Sequence, residues 1–79
     1  MDDIIIDIEN WIFKQFNVRV KSNQRYIDLG VIDSLDMIIL IDFMEREYNL
    51  KFSSDDFQDS RFFTIEGLAS LIIEKNSDV

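Results

Sequence analysis

A serine hydroxyl near the middle of the chain is the side chain best placed for chemistry. Ser34 follows Asp33 in the run Gly-Val-Ile-Asp-Ser-Leu-Asp-Met, where a turn gives way to a long apolar stretch typical of a helix. The chain has no cysteine and no histidine, so it lacks a thiol nucleophile and the usual proton carrier at neutral pH. This pattern favours a hydroxyl that another enzyme modifies. The alternative is that Ser34 is an ordinary N-cap, a position that serine favours.

Composition limits the range of functions further. A chain of 79 residues that is 47% hydrophobic predicts one small folded domain over residues 1–79, with little room for a deep cleft. The 16 acidic and 8 basic side chains give a net charge of -8, which argues against nucleic acid and for basic protein surfaces as partners. The apolar runs are too short for membrane insertion, and no targeting motif is evident, so we expect a cytoplasmic protein.

The spacing of apolar residues predicts an all-α fold of four helices. Residues 3–16 form the first helix, and residues 17–33 form a long loop. The second helix covers residues 34–48 and ends at Asn49. A short third helix over residues 55–58 has Ser53 as its N-cap, and Thr64 opens the last helix. Two groups are expected in the core: Val18, Val20, Tyr26, Ile27 and Leu29 from the loop, and Ile65, Leu68, Ala69 and Ile72 from the last helix.

The second helix carries more apolar residues than one buried stripe needs, so part of it should be exposed. We expect Ile38 and Ile41 to lie in the core. The exposed apolar and acidic residues would form a docking surface for protein partners, consisting of Leu35, Asp36, Met37, Ile39, Asp42 and Glu45. For each of these residues, core packing or a simple solvated helix face is the alternative.

These features together resemble the acyl carrier protein family, including its peptidyl and D-alanyl carriers. The resemblance rests on Asp28-Leu29-Gly30, on Asp33-Ser34-Leu35-Asp36 with the helix that continues to Tyr48, on the Phe57 region and on Thr64-Ile65. It covers nearly the whole chain, and the short Asp-Ser-Leu motif alone would be weak. The resemblance implies a small four-helix acyl-carrier-like bundle with a long loop between the first two helices and a short third helix.

The family carries 4′-phosphopantetheine on the serine of this motif through a phosphodiester, so the resemblance implies Ser34 as the attachment site with Asp33 beside it. The protein would be a carrier and not an enzyme, and the thiol of the prosthetic arm would hold an acyl or aminoacyl group as a thioester. If Asp33 is the N-cap, its carboxylate can accept a hydrogen bond from a backbone N–H near Asp36. The Ser34 hydroxyl would then face water.

The resemblance also implies partners, namely a phosphopantetheinyl transferase that uses coenzyme A and Mg²⁺, an acyl- or aminoacyl-adenylating ligase, and downstream acyl-transferring enzymes. A monomer is expected, since a carrier must visit several enzymes. Ile39 and Arg46 stand where fatty-acid carriers are usually acidic. Two apolar residues separate Gly30 from Asp33, as in stand-alone carriers that work with adenylating ligases. We therefore predict cargo that is an amino acid or a specialised acyl group.

Three other classes of protein compete with the carrier. A small acidic helical adaptor would bind a partner through the second helix without a prosthetic group. A calcium-binding protein is disfavoured, because no twelve-residue calcium loop can be drawn through Asp55, Asp56 and Asp59. A hydrolase is disfavoured because Ser34 has no histidine or cysteine to assist it. We therefore predict no catalytic residue and no metal ligand.

Overall fold

The computed structural model describes residues 2–30 and 32–77, and within them the secondary structure is entirely helical. Its α-helices are α1 (Asp2–Phe16), α2 (Ser34–Tyr48), α3 (Ser54–Gln58) and α4 (Ile65–Ser77). Short 3-10 segments cover Tyr26–Leu29 and Ser60–Phe63. The predicted all-α class and the bounds of the second helix are confirmed, while α1 and α3 each begin one residue earlier than predicted. Val31 of the motif and the ends of the predicted 1–79 domain lie outside the described residues.

Two asparagines end the longest helices. Asn49 has φ 54°, and its backbone N–H donates to the carbonyl oxygen of Glu45, as in a left-handed C-cap. Asn17 has φ 55° after α1, and its N–H donates to the carbonyl of Phe13 over 2.8 Å. Asparagine tolerates positive φ better than other side chains because its short polar group can bond locally. The predicted end of the second helix at Asn49 is confirmed.

The core draws side chains from α1, α2, α4 and the long loop. Buried hydrophobic residues include Ile8 and Ile12 of α1, Leu40 and Met44 of α2, and Ile65, Leu68, Ala69, Leu71 and Ile72 of α4. The predicted inner face of the last helix is therefore confirmed. Ile41 packs at the edge of the core, whereas Ile38 is 62% exposed, so the prediction that Ile38 lies in the core is wrong.

Two hydrogen bonds between residues far apart in the sequence hold the long loop against α4 and the 3-10 segment before it. The buried Tyr26 hydroxyl donates to the carbonyl oxygen of Phe62, and burial raises the pKa of Tyr26 well above its usual value, so this donor stays protonated. A second bond joins the loop to α4, where the Glu66 N–H donates to the carbonyl oxygen of Ser22 over 2.9 Å. The residues before α2 are thus held against α4.

Four of the five loop residues expected to reach the core do so. Val20 and Tyr26 are buried, and Val18 and Leu29 pack against the core from its edge. Ile27 is 37% exposed, so its predicted burial is wrong. The reason is the 3-10 segment: with three residues per turn, Tyr26 and Leu29 share one side and Ile27 points away from it.

Asp56 links α3 to α4, and its charge should contribute to stability. Its carboxylate accepts bonds from the Ser53 N–H over 2.7 Å and from Lys75 Nζ over 2.6 Å. Burial opposes ionisation of Asp56, but these hydrogen bonds outweigh it and lower its pKa. The carboxylate is therefore more acidic in the folded chain than in the unfolded chain. The Asp56 charge thus stabilises the fold at pH values above the unfolded pKa of about 3.9, and this stabilisation is lost as pH falls through the folded pKa.

Asp56→Asn is accordingly expected to lower the free energy of unfolding by about 1–2 kcal/mol at neutral pH. The difference from the parent should shrink as pH falls below about 4, where Asp56 of the parent is itself protonated. Urea unfolding at several pH values measures this difference. The exposed neighbour gives a control, Asp55→Asn, which should change stability little. A difference between Asp56→Asn and the parent that persists unchanged at low pH would contradict the role given to the charge.

Candidate functional site

Asp33 and Asp36 form a reciprocal capping box at the start of α2. The Asp36 backbone N–H donates to Asp33 Oδ1 over 3.0 Å, and the Asp33 N–H donates to Asp36 Oδ2 over 3.2 Å. Asp33 has the extended backbone of an N-cap, with φ -100° and ψ -171°. The predicted cap by Asp33 is confirmed, and the return bond from Asp36 was not predicted.

Ser34 is the first residue of α2 and is exposed to solvent. Because Asp33 occupies the N-cap position, the interpretation of Ser34 as an ordinary N-cap is wrong. The helix start therefore does not depend on the Ser34 hydroxyl as its cap. The hydroxyl lies in the first turn, where backbone N–H groups lack helical partners and the helix dipole is positive.

A second serine stands in a similar local position. Ser54 is the first residue of α3 and is exposed, and Ser53 before it donates its N–H and its hydroxyl to the Asp56 carboxylate. The two helices differ in length, because α3 has 5 residues and α2 has 15. The residues after the serine differ as well, since Asp55 and Asp56 follow directly in α3, whereas the exposed Leu35 follows directly in α2.

Three exposed aliphatic residues of α2, Leu35, Ile38 and Ile39, form a surface that we call the apolar stripe. Their exposed fractions are 71%, 62% and 47%. Met37 was expected on this surface but is half-buried against the core, so the expected exposure of Met37 is wrong. Because residues three and four apart share a helix face, Met37 turns inward with Leu40 and Met44, and Ile38 turns outward with Leu35. The stripe begins next to Ser34.

The acidic residues of the predicted docking surface have different roles in the fold. Asp42 is exposed and pairs with Arg46 over 3.5 Å, a surface ion pair. Glu45 is only 19% exposed and accepts the Phe52 N–H over 2.9 Å, so it holds the connection after α2. Asp36 takes part in the capping box. Of the six residues predicted for docking, Leu35, Ile39 and Asp42 are exposed.

A surface groove of about 350 Å³ runs between α1 and α2 beside the apolar stripe. Ile39 and Asp42 form part of its lining, and the rings of Trp11 and Phe43 stack in it with their centroids 4.5 Å apart. The groove was not predicted from the sequence, because hydrophobic spacing alone does not tell how α1 and α2 meet. The presence of Trp11 and Phe43 on separate helices was the only available signal.

Charge around the start of α2 is mainly acidic. Asp33 and Asp36 flank Ser34, and Asp28 lies in the 3-10 segment before it. Arg25 pairs with Asp28 over 3.5 Å between two exposed side chains, which contributes little to stability. An acidic surface of this kind attracts basic partner surfaces, with an attraction that weakens as salt is added.

The fold and the site define a small helical domain that presents an exposed serine at a capped helix start, next to an exposed apolar stripe. No described helix is long and apolar enough to cross a membrane. Comparison with profiles of known protein families, with curated protein sequences and with solved structures returned no match to this chain.

Proposed function

We propose that the protein is an acyl carrier protein in which Ser34 bears a covalent 4′-phosphopantetheine arm. The observation that carries the proposal is the exposed Ser34 hydroxyl at the start of α2, where Asp33 and Asp36 do the capping. The apolar stripe beside it supports a role in which other proteins must approach this hydroxyl. When bound, the arm would supply a thiol that holds an acyl or aminoacyl group as a thioester, in a chain that has no cysteine.

The residues at the start of α2 fit a phosphodiester on Ser34. The hydroxyl is exposed, so esterification displaces no packed side chain. First-turn N–H groups and the helix dipole favour a phosphate there by about 0.3–1 kcal/mol. The carboxylates of Asp33 and Asp36 oppose it by like-charge repulsion, so attachment needs a phosphopantetheinyl transferase with Mg²⁺.

In the transfer, Ser34 Oγ bonds to the phosphorus that becomes the phosphodiester. The bond from that phosphorus to the 3′,5′-ADP part of coenzyme A breaks, and 3′,5′-ADP leaves. We assign the base that takes the hydroxyl proton to the transferase. The chain itself contributes an accessible nucleophile held on a rigid helix.

The proposed partners follow from the surface around Ser34. A basic, partly apolar partner surface can pack on Leu35 and Ile38 and meet the carboxylate of Asp42. We assign this docking to the transferase, to an acyl- or aminoacyl-adenylating ligase and to downstream acyl-transferring enzymes. The exposed Ile39 and the presence of Arg46 support a stand-alone carrier of an amino acid or a specialised acyl group. We propose that it works in the cytoplasm as a monomer, since a carrier must visit several enzymes.

Intact-protein mass spectrometry after incubation with coenzyme A, Mg²⁺ and a broad-specificity phosphopantetheinyl transferase tests the proposal. The parent is expected to gain the mass of one phosphopantetheine, and Ser34→Ala is expected to gain none. Ser54→Ala is the matched control, since Ser54 is the exposed first residue of a helix like Ser34 but should not be modified. A parent that gains no mass with several transferases, or a Ser34→Ala variant that still gains it, would contradict the proposal.

A second candidate is an adaptor that binds a partner through α2 and carries no prosthetic group. The apolar stripe is the observation that favours it, because exposed aliphatic clusters on small domains commonly bind proteins. The adaptor predicts that Ser34→Ala leaves partner binding intact, while Leu35→Arg abolishes it. The carrier predicts that both changes are damaging, because Ser34→Ala removes the attachment site and Leu35→Arg weakens the docking of partners.

A further inference from the structure

Asp36 forms both hydrogen bonds of the capping box with Asp33, on the other side of Ser34. The Asp36 carboxylate accepts the N–H of Asp33 over 3.2 Å, and the Asp36 N–H returns a bond of 3.0 Å to the Asp33 carboxylate. The two bonds together enclose the segment that contains Ser34 and Leu35. Asp36 is only partly exposed, unlike Asp33 and Asp42.

We propose that Asp36 is a positioning residue for the modification of Ser34, acting through its hydrogen bond to the Asp33 N–H and not through charge contact with the transferase. The inference rests on the proposed function and assigns a specific part in it to one carboxylate. Asp36 lies among the acids predicted to dock partners, yet its carboxylate already has a partner within the chain.

Without the Asp36 carboxylate, the capping box would lose one of its two hydrogen bonds. The Asp33 carboxylate would still accept the N–H of residue 36, so α2 would keep its N-cap and the domain would fold. The Asp33 backbone would lose its N–H partner, and the direction of the Ser34 side chain would be less defined. Transfer reactions depend strongly on such alignment, because a small misplacement of the attacking atom slows the chemical step.

Three substitutions separate geometry from charge. Asp36→Asn removes the charge and keeps a side-chain oxygen that can accept the Asp33 N–H. Asp36→Ala removes both. Asp42→Asn is the comparison for charge in docking. Asp42 is an exposed acid of the same helix that is proposed to meet the partner, but it pairs with Arg46 and has no bond to residues 33–36.

The experiment measures kcat and KM for transfer to the parent and to each variant, with one transferase and saturating coenzyme A and Mg²⁺. Asp36→Ala is expected to lower kcat about fivefold, because a less well aligned hydroxyl attacks more slowly; this factor corresponds to about 1 kcal/mol in the reaction barrier. Asp36→Asn is expected to restore kcat to within about twofold of the parent, since it can still form the bond. Asp42→Asn should raise KM and leave kcat unchanged, because Asp42 is proposed to meet the transferase and has no bond to residues 33–36.

Amide hydrogen exchange followed by NMR gives a readout that does not depend on the transferase. The amide of residue 33 should exchange faster in Asp36→Ala than in the parent and at nearly the parent rate in Asp36→Asn. If Asp36→Asn and Asp36→Ala raised KM equally and left kcat unchanged, the positioning role would be overturned. The proposed carrier function would not be affected by that result. A parent that accepts no phosphopantetheine would instead overturn the carrier function, and the inference with it.

Discussion

Leu35→Arg is expected to lower kcat/KM for the modification of Ser34 by about thirtyfold, the effect of losing a central apolar contact worth about 2 kcal/mol. Leu35 is 71% exposed beside Ser34, so the fold gains little from it, and a basic side chain would repel a basic partner. Initial rates at several carrier concentrations measure the change. Thermal unfolding of the variant should match that of the parent.

Ile6→Arg is the control for this prediction. Ile6 is 53% exposed on α1, outside the apolar stripe, and the substitution adds the same charge and the same length. Its kcat/KM should stay within about twofold of the parent, as expected for a residue outside the contact. Equal loss in both variants would mean that net charge and not the apolar stripe governs partner binding.

Gly67→Ala is expected to lower the free energy of unfolding by about 3 kcal/mol or more. A loss of this size is a large part of the total stability of a small domain. A Cβ at this position would overlap the backbone carbonyl of Arg61, in the 3-10 segment that packs on α4. A backbone group cannot move aside as a flexible side chain can. Alanine would otherwise stabilise a helix interior relative to glycine by about 1 kcal/mol, so the sign of the effect is itself informative.

Urea unfolding followed by circular dichroism measures the Gly67→Ala effect, with Gly30→Ala as the comparison. Gly30 has φ 72° and open space where its Cβ would lie, so alanine there costs only backbone strain, about 1 kcal/mol. Gly67→Ala should therefore be the more damaging substitution. A stabilised Gly67→Ala variant would contradict the close approach of α4 to Arg61.

Features that depend on residues close in sequence could be predicted from the sequence. The N-cap by Asp33 and the helix end at Asn49 involve bonds between residues three or four positions apart, and both are confirmed. The same local pattern correctly located Ser34 at the start of a helix.

Features that depend on how the helices meet could not be predicted. The second helix has apolar residues on most sides, so periodicity did not determine its rotation, and Met37 and Ile38 were assigned to the wrong environments. The bond from Tyr26 to Phe62 joins residues 36 positions apart, and no local pattern reports such a contact. The bond that Glu45 accepts from the Phe52 N–H was not predicted either, because it depends on the turn after α2.

The Ser34 hydroxyl, as the proposed carrier of the prosthetic arm, is open to a direct test. Tandem mass spectrometry of the parent after incubation with coenzyme A, Mg²⁺ and the transferase locates the added group on the chain. We predict one phosphopantetheine, on the peptide that contains Ser34 and on no other serine. An unmodified chain, or a group found on Ser54, would contradict the carrier function proposed for Ser34.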